Sequence, residues 1–182
     1  MKRRPSTKNE SLVIVSGQSN DIVIDNMCSA WGVVPYPQLS VLLVHLKYLA
    51  TVHQTHHWTA MGDPFYGDHL LFDRLYGAVN EEIDGVAEKC VGLGTTENVN
   101  LLLQATQFYE LAREYGMTQT IPQACELVKR SLAAEMKFMA TCETLIAMMA
   151  ENGTLTKGLD NMLSGILDKH EGHVYLLKQR CS

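Results

Sequence analysis

No two cysteines in this chain stand at Cys-x-x-Cys spacing, and the five present, Cys28, Cys90, Cys125, Cys142 and Cys181, are odd in number. That pattern favours a reducing compartment, with most of the thiols acting as small buried hydrophobes. No apolar run approaches the roughly 20 residues needed to span a bilayer, and no signal-type apolar stretch stands near the N-terminus. A soluble cytoplasmic protein with no membrane partner is the expectation. The His-Glu-x-x-His pattern of metalloproteases is missing, as are internal repeats and low-complexity tracts. Positive charge is also scarce: the formal net charge is −5, which argues against nucleic-acid binding by overall charge.

What is present suits one well-cored domain: 182 residues, 46% of them hydrophobic. The charge is unevenly spread. Residues 1–10 carry Lys2, Arg3, Arg4 and Lys8 against Glu10, a balance of +3, which leaves −8 on the remaining 172 residues. Such an arm is either a solvated terminus or a weak contact for DNA phosphates, strengthened if many copies act together. Residues 11–34 include two β-branched runs, Leu12-Val13-Ile14-Val15 and Ile22-Val23-Ile24, separated by a turn-rich stretch. They predict a small hairpin or an extended strap. Trp31, Gly32, Pro35 and Pro37 mark the entry to a helical body.

That body, residues 37–182 after an arm of 1–36, carries four long segments of helical spacing. The first runs from about Pro37 to Met61. The second has Asp63 as N-cap and Pro64 as first helical residue, and ends at Leu93 before Gly94. A linking region of residues 95–119 holds a shorter helical run. The third spans about Ile121 to Glu151, and the fourth starts after Thr154 as a cap and continues to Arg180. Short connections with one long crossover predict an all-α, antiparallel four-helix bundle.

The second segment carries two stripes. At 100° per residue, with His69 as zero, Asp73 falls near ~40°, Asp84 near ~60° and Glu88 near ~100°. Phe72, Leu75, Val79, Ile83, Val86 and Cys90 cluster between roughly 240° and 320° and define a core face. The acidic stripe is therefore about 130° from the core. His69 and Asp84 lie roughly 22 Å apart along a straight helix and cannot bind one ion within a chain. The stripe is either a solvated acidic face or half of a site completed by a second copy across a twofold axis. In the first segment, His45, His53 and His56 read as structural or exposed histidines. His57 differs, because the tight connection after Trp58 can fold it back beside His69.

The stretch from His57 to Gly94 resembles the DNA-protection-during-starvation (Dps) family of mini-ferritins. The shared pattern is His57-Trp58, Gly62, then Phe65-x-x-x-His69-x-x-x-Asp73, followed by Asp84-x-x-Ala87-Glu88. About 40 residues carry the match strongly, and the four-helix layout extends it. Departures are Lys89 where an arginine is common, Tyr175 at a Trp-like position near the C-terminus, and the unusual 11–34 segment.

The resemblance implies a ferritin-like bundle that joins a hollow shell of twelve subunits. His57 and His69 of one subunit would meet Asp84 and Glu88 of its twofold mate, with Asp73 as a ligand or a neighbouring partner. Mixed imidazole and carboxylate donors suit Fe(II), with Mn and Zn as competitors. The implied reaction is oxidation of Fe(II), with hydrogen peroxide as preferred oxidant, and storage of ferric mineral. Trp58 would donate an electron to a trapped oxidising equivalent or simply pack between the first two helices. Asp73, one turn from His69, is expected to accept its second ring N–H and fix the tautomer. DNA binding and a nucleoid association enter on the same ground. The alternative is a structural shell or DNA-packaging protein whose metal only stabilises the dimer.

Overall fold

The computed structural model describes residues 20–115 and 125–181. Six α-helices account for most of them: α1 (Asn20–Ser29), α2 (Pro37–Thr59), α3 (Phe65–Leu93), α4 (Leu101–Glu114), α5 (Cys125–Glu151) and α6 (Lys157–Cys181). A 3-10 turn, Thr96–Val99, joins α3 to α4. Helices α2, α3, α5 and α6 form the predicted four-helix bundle, and α4 lies in the crossover. No β-strand occurs among the described residues, and no described helix is long and apolar enough to cross a membrane.

The expected strap is corrected where it can be seen. Residues Ile22-Val23-Ile24 belong to α1, whereas Leu12–Val15 and the basic residues Lys2, Arg3, Arg4 and Lys8 lie outside the described residues. In a strand, Ile22 and Ile24 would share a face; here Ile22 is exposed and Ile24 is buried. Ile24, Cys28 and Trp31 instead form a helical-period face sunk into the main core. Burial of that face overrides the β preference of the branched side chains. Polar bonds then anchor the helix: Trp31 Nε1 donates to Gln107 Oε1 at 3.0 Å, and Gln107 Nε2 donates to the Met27 carbonyl at 2.7 Å.

Helix α2 is the central element. It starts cleanly because Pro37 occupies the first turn, where a missing N–H does no harm. Fifteen of its 23 residues are buried, so it has neighbours on nearly every side. Helix α3 packs Phe72, Leu75, Val79, Val86 and Cys90 inward, as its apolar stripe predicts. It begins one residue later than expected. Gly62, at φ 79°, turns the chain, and Phe65 N–H donates to the Gly62 carbonyl, so Asp63 and Pro64 sit in that turn and no side chain caps the helix. At its other end Gly94 is required, since a Cβ there would stand 2.6 Å from the Cys90 carbonyl oxygen.

The start of α6 is also shifted. Thr156 Oγ1, not Thr154, accepts from a helical amide, that of Leu159, at 3.2 Å. Thr154 Oγ1 donates to the Met149 carbonyl and closes the end of α5 instead. At the far end of the bundle Arg180 holds Asp68 through both carboxylate oxygens, at 2.6 and 3.1 Å, tying α6 to the first turn of α3. The thiols of Cys28, Cys90 and Cys142 are buried and unbridged, and burial raises each to about 12, so they behave as hydrophobes.

His45 is also fully enclosed in α2, with Nδ1–H donating to the Val41 carbonyl. Burial lowers its pKa to about 4, while Lys137 and Glu114 nearby act in opposite senses. The folded value lies below the ordinary 6.5, so this group's contribution is complete above about pH 6.5 and is lost as pH falls through about 4. Between pH 7 and pH 4.5 the natural protein should lose about 2–3 kcal/mol more stability than His45→Gln. Chemical denaturation at the two pH values measures this, and equal losses would rule out the buried neutral ring.

Candidate metal centre

The α2–α3 connection brings His57 and His69 together. Their rings stack with centroids 3.8 Å apart. Each ring also bonds to the other residue's backbone: His57 Nδ1 donates to the His69 carbonyl at 2.9 Å, and His69 Nδ1 donates to the His57 carbonyl at 3.0 Å. A carbonyl can only accept, so both rings carry their proton on Nδ1. Both Nε2 lone pairs are left for another partner. The backbone thus fixes the tautomers, not Asp73, whose carboxylate lies by the Tyr76 hydroxyl and raises its pKa. Both histidines are half-buried at a surface that also presents Trp58 and Phe65, 69% and 44% exposed.

Asp73, Asp84 and Glu88 are all exposed on α3. The helix runs unbroken from Phe65 to Leu93. Asp84 and Glu88 therefore remain about 20–30 Å from His69 along its axis. Within one chain the histidines and the distal carboxylates do not meet.

A second constellation lies inside the bundle, on residues that local spacing did not single out. Glu135 of α5 is fully buried and accepts three imidazole bonds. Its Oε1 receives His53 Nε2 of α2 at 2.8 Å and His173 Nδ1 of α6 at 3.1 Å, and its Oε2 receives His170 Nδ1 at 2.5 Å. His170 Nε2 in turn donates to Glu82 Oε2 of α3 at 2.9 Å. With both ring nitrogens on carboxylates, His170 is an imidazolium. Burial opposes that charge, but the bonds to Glu135 and Glu82 outweigh it and raise the pKa to about 9. The same contest goes the same way for Glu135, where burial is outweighed by His170, His173 and His53 and the carboxyl is held well below its usual range.

Ser131 extends the chain of bonds. It lies 3.1 Å from His53 Nδ1 and 2.7 Å from His56 Nδ1, so His56 donates to the hydroxyl and the hydroxyl donates to His53. Burial, helped by the nearby His53 ring and the Arg130 guanidinium, keeps His56 neutral, with a pKa of about 3. The expectation that His53 and His56 are structural or exposed therefore resolves to burial for both, with His53 inside an acid–imidazole network. Two sequence signals point to this cluster. Glu82 falls near ~220° on the α3 wheel, at the edge of the core face. His170 and His173 stand three apart on α6, one above the other.

No family sequence profile matches the chain. It is 28% identical over 138 residues to a nutrient stress-induced DNA-binding protein of a Synechococcus species, covering 75% of this chain and 74% of that protein. A protein of the same description from a Nostoc species is 27% identical over 142 residues, covering 76% and 72%. Among solved structures, Dps from Thermosynechococcus elongatus superposes with a TM-score of 0.64 at 14% identity, over 90% of this chain and 96% of that one. DpsC from Streptomyces coelicolor gives 0.61 at 21% identity, over 81% and 83%. A Dps protein from Vibrio cholerae, described as a member of a broad superfamily of ferritin-like diiron-carboxylate proteins, gives 0.60 at 14% identity, over 87% and 91%. The chain shares the four-helix fold of these Dps structures, and its sequence likeness to the two stress-induced DNA-binding proteins runs through three quarters of its length; both agree with the His57–Glu88 motif.

Proposed function

We propose that this protein oxidises Fe(II) and stores the ferric product, at sites each shared by two subunits. The observation that carries this reading is the His57–His69 pair. Two imidazoles locked in one tautomer, with both Nε2 atoms unencumbered, form a half-site for a metal ion. The helix that holds His69 carries Asp73, Asp84 and Glu88 on the same stripe, with the last two beyond reach in the same chain. A twofold pairing supplies them from the other subunit. Exposed apolar side chains support that pairing: Trp58, Met61, Phe65, Tyr66 and Leu70 near the half-site, and Leu101 and Leu102 in the crossover.

In this reading Fe(II) is the substrate. His57 and His69 hold it before oxidation, and Asp84, Glu88 and Asp73 favour the ferric product because carboxylates are hard oxygen donors. One hydrogen peroxide accepts two electrons, one from each of two Fe(II) ions, and two protons, and leaves as two waters. Zn and Mn compete for the same donors. Trp58 is exposed in the single chain, so its packing partner in this reading is the second subunit or the oxidising centre. The shell is a homo-oligomer, a dodecamer by family likeness, working in the cytoplasm or at the nucleoid.

The direct experiment mixes the assembled protein with Fe(II) and peroxide and follows iron through size-exclusion chromatography. Ferric iron should elute with the protein in tens or more per assembly. Iron that elutes apart from the protein would leave only the structural-shell alternative. DNA binding is assigned to Lys2, Arg3, Arg4 and Lys8, which fits the description of the sequence relatives. Deleting residues 1–10 should abolish retardation of DNA in a gel at low salt, where phosphate contacts are strongest. Retardation that persists without those residues rejects the assignment.

A further inference from the structure

We infer that the bundle interior is a second metal site, in which Glu135, His170 and His173 bind one divalent transition-metal ion, with Glu82 and His53 completing its surroundings. The site shares no residue with the exposed histidine–carboxylate set. It therefore stands or falls separately from the proposed split site.

Convergence is the first argument. One carboxylate oxygen of Glu135 and one ring nitrogen each from His170 and His173 lie within 4.8 Å of one another, and all three residues are buried. Bonds of about 2.0–2.2 Å to such donors place the donor atoms roughly 3–3.5 Å apart. The separation of His173 Nδ1 from Glu135 Oε1, 3.1 Å, is already in that range.

Charge is the second. Two carboxylates and three imidazoles occupy one layer of a helical core, each residue no more than 6% exposed. Buried charge of this kind adds little net stability, and apolar residues of similar volume would serve folding at least as well. A divalent cation neutralises both Glu82 and Glu135, which one imidazolium cannot.

One buried acceptor is also left over. Glu82 is 5% exposed, yet its Oε1 has no hydrogen-bond partner. Lys169 Nζ stands 3.5 Å from it, on a side chain that is 54% exposed. An unsatisfied buried carboxylate oxygen is costly. Ligation of an ion, directly or through a water, removes that cost.

The donor set also indicates which ions fit. Two imidazoles and a carboxylate, with a third imidazole and a second carboxylate beside them, suit Zn(II), Fe(II) and Co(II), and are poorly matched to Mg(II) or Ca(II), which prefer all-oxygen shells. The flanking shell is apolar: Phe138 packs against the His170 ring at 4.3 Å, which excludes bulk water from that side.

The test uses the full-length double variant His57→Ala/His69→Ala, which lacks the exposed imidazoles and leaves the interior untouched. After metal stripping and titration with Co(II), it should retain about one Co(II) per subunit, with visible absorption bands of nitrogen–oxygen coordination. Adding His173→Gln should weaken that binding at least about tenfold, as loss of a ligand does. Absence of Co(II) binding in the double variant overturns the proposal, and so does binding that His173→Gln leaves unchanged. Should the triple variant fail to fold, Zn(II)-soaked crystals of the natural protein decide by anomalous scattering. A peak among Glu135, His170 and His173 supports the site, and an interior without one rejects it.

Discussion

Co-assembly of His69→Ala chains with Asp84→Ala chains should restore about a quarter of the natural number of rapid Fe(II)-oxidising sites, although neither variant works alone. The fraction follows from the geometry of a shared site. In a mixed dimer one site draws its histidine from the first variant and its aspartate from the second, and both are missing. The other site draws an intact histidine and an intact aspartate from the opposite chains. Random pairing makes half of all dimers mixed, and each mixed dimer has one good site of two. Each variant alone should lose initial rate by about 100-fold, since even partners one step removed from a metal contribute 10–100-fold. The readout is the initial absorbance rise of ferric product after refolding the variants together and apart. A mixture no faster than its components would reject the split site, as would a monomeric form that oxidises iron at the full rate.

Replacing Glu135 by Ala should be the most destabilising single change in the bundle core, by about 3–5 kcal/mol. Glu135 is the one acceptor shared by His53, His170 and His173. Its removal strands three ring N–H groups and an imidazolium in an apolar interior, and opens a cavity besides. Glu135→Gln keeps one acceptor oxygen and the volume, so it should fall between the two. Glu81→Gln is the control: its carboxylate neighbours Glu82 in sequence but is exposed, and its loss should leave the unfolding midpoint unchanged. Denaturation midpoints at pH 7, measured after metal removal, compare the three. A Glu135→Ala midpoint equal to that of the natural protein would show that the network carries no stability.

Much of this architecture was readable from the chain alone. Apolar spacing located α2 through α6, because a helix that buries a stripe, or in α2 nearly its whole circumference, sets apolar residues at helical intervals. The closeness of His57 and His69 was readable for a similar reason: a five-residue connection leaves the two helix ends little freedom. The misreadings concern forces that periodicity does not report. Ile22–Ile24 has the composition of a strand, but a docking face at 24, 28 and 31 decides its conformation. Asp63 and Thr154 have the chemistry of caps, and turns set by Gly62 and by the α5 terminus place them elsewhere. Asp73 is well spaced to hold His69, but a backbone carbonyl is nearer.

The interior network escaped for a different reason. His53 and Glu135 are 82 residues apart, and Glu82 and His170 are 88 apart, so no local spacing connects them. Each is an isolated polar residue at or near a core face, which is where sequence reading should look for a buried group. The His170-x-x-His173 pair was the visible trace.

The polar layer made by His53, Glu82, Ser131, Glu135, His170 and His173 has one further consequence, concerning register. It divides a small apolar cluster, Phe72, Leu75, Leu127, Val128 and Leu177, from the main core. Leucine-rich helices of this length slide past one another with little penalty when every layer is alike. Here a slip of α6 by one turn would carry His170 off both carboxylates and set Glu135 against aliphatic carbon. Each such displaced charge costs several kcal/mol, so one alignment of the four helices is selected over its neighbours. The layer thereby sets how far α6 extends past α3, and with it the seat of the Arg180–Asp68 pair at the end of the bundle.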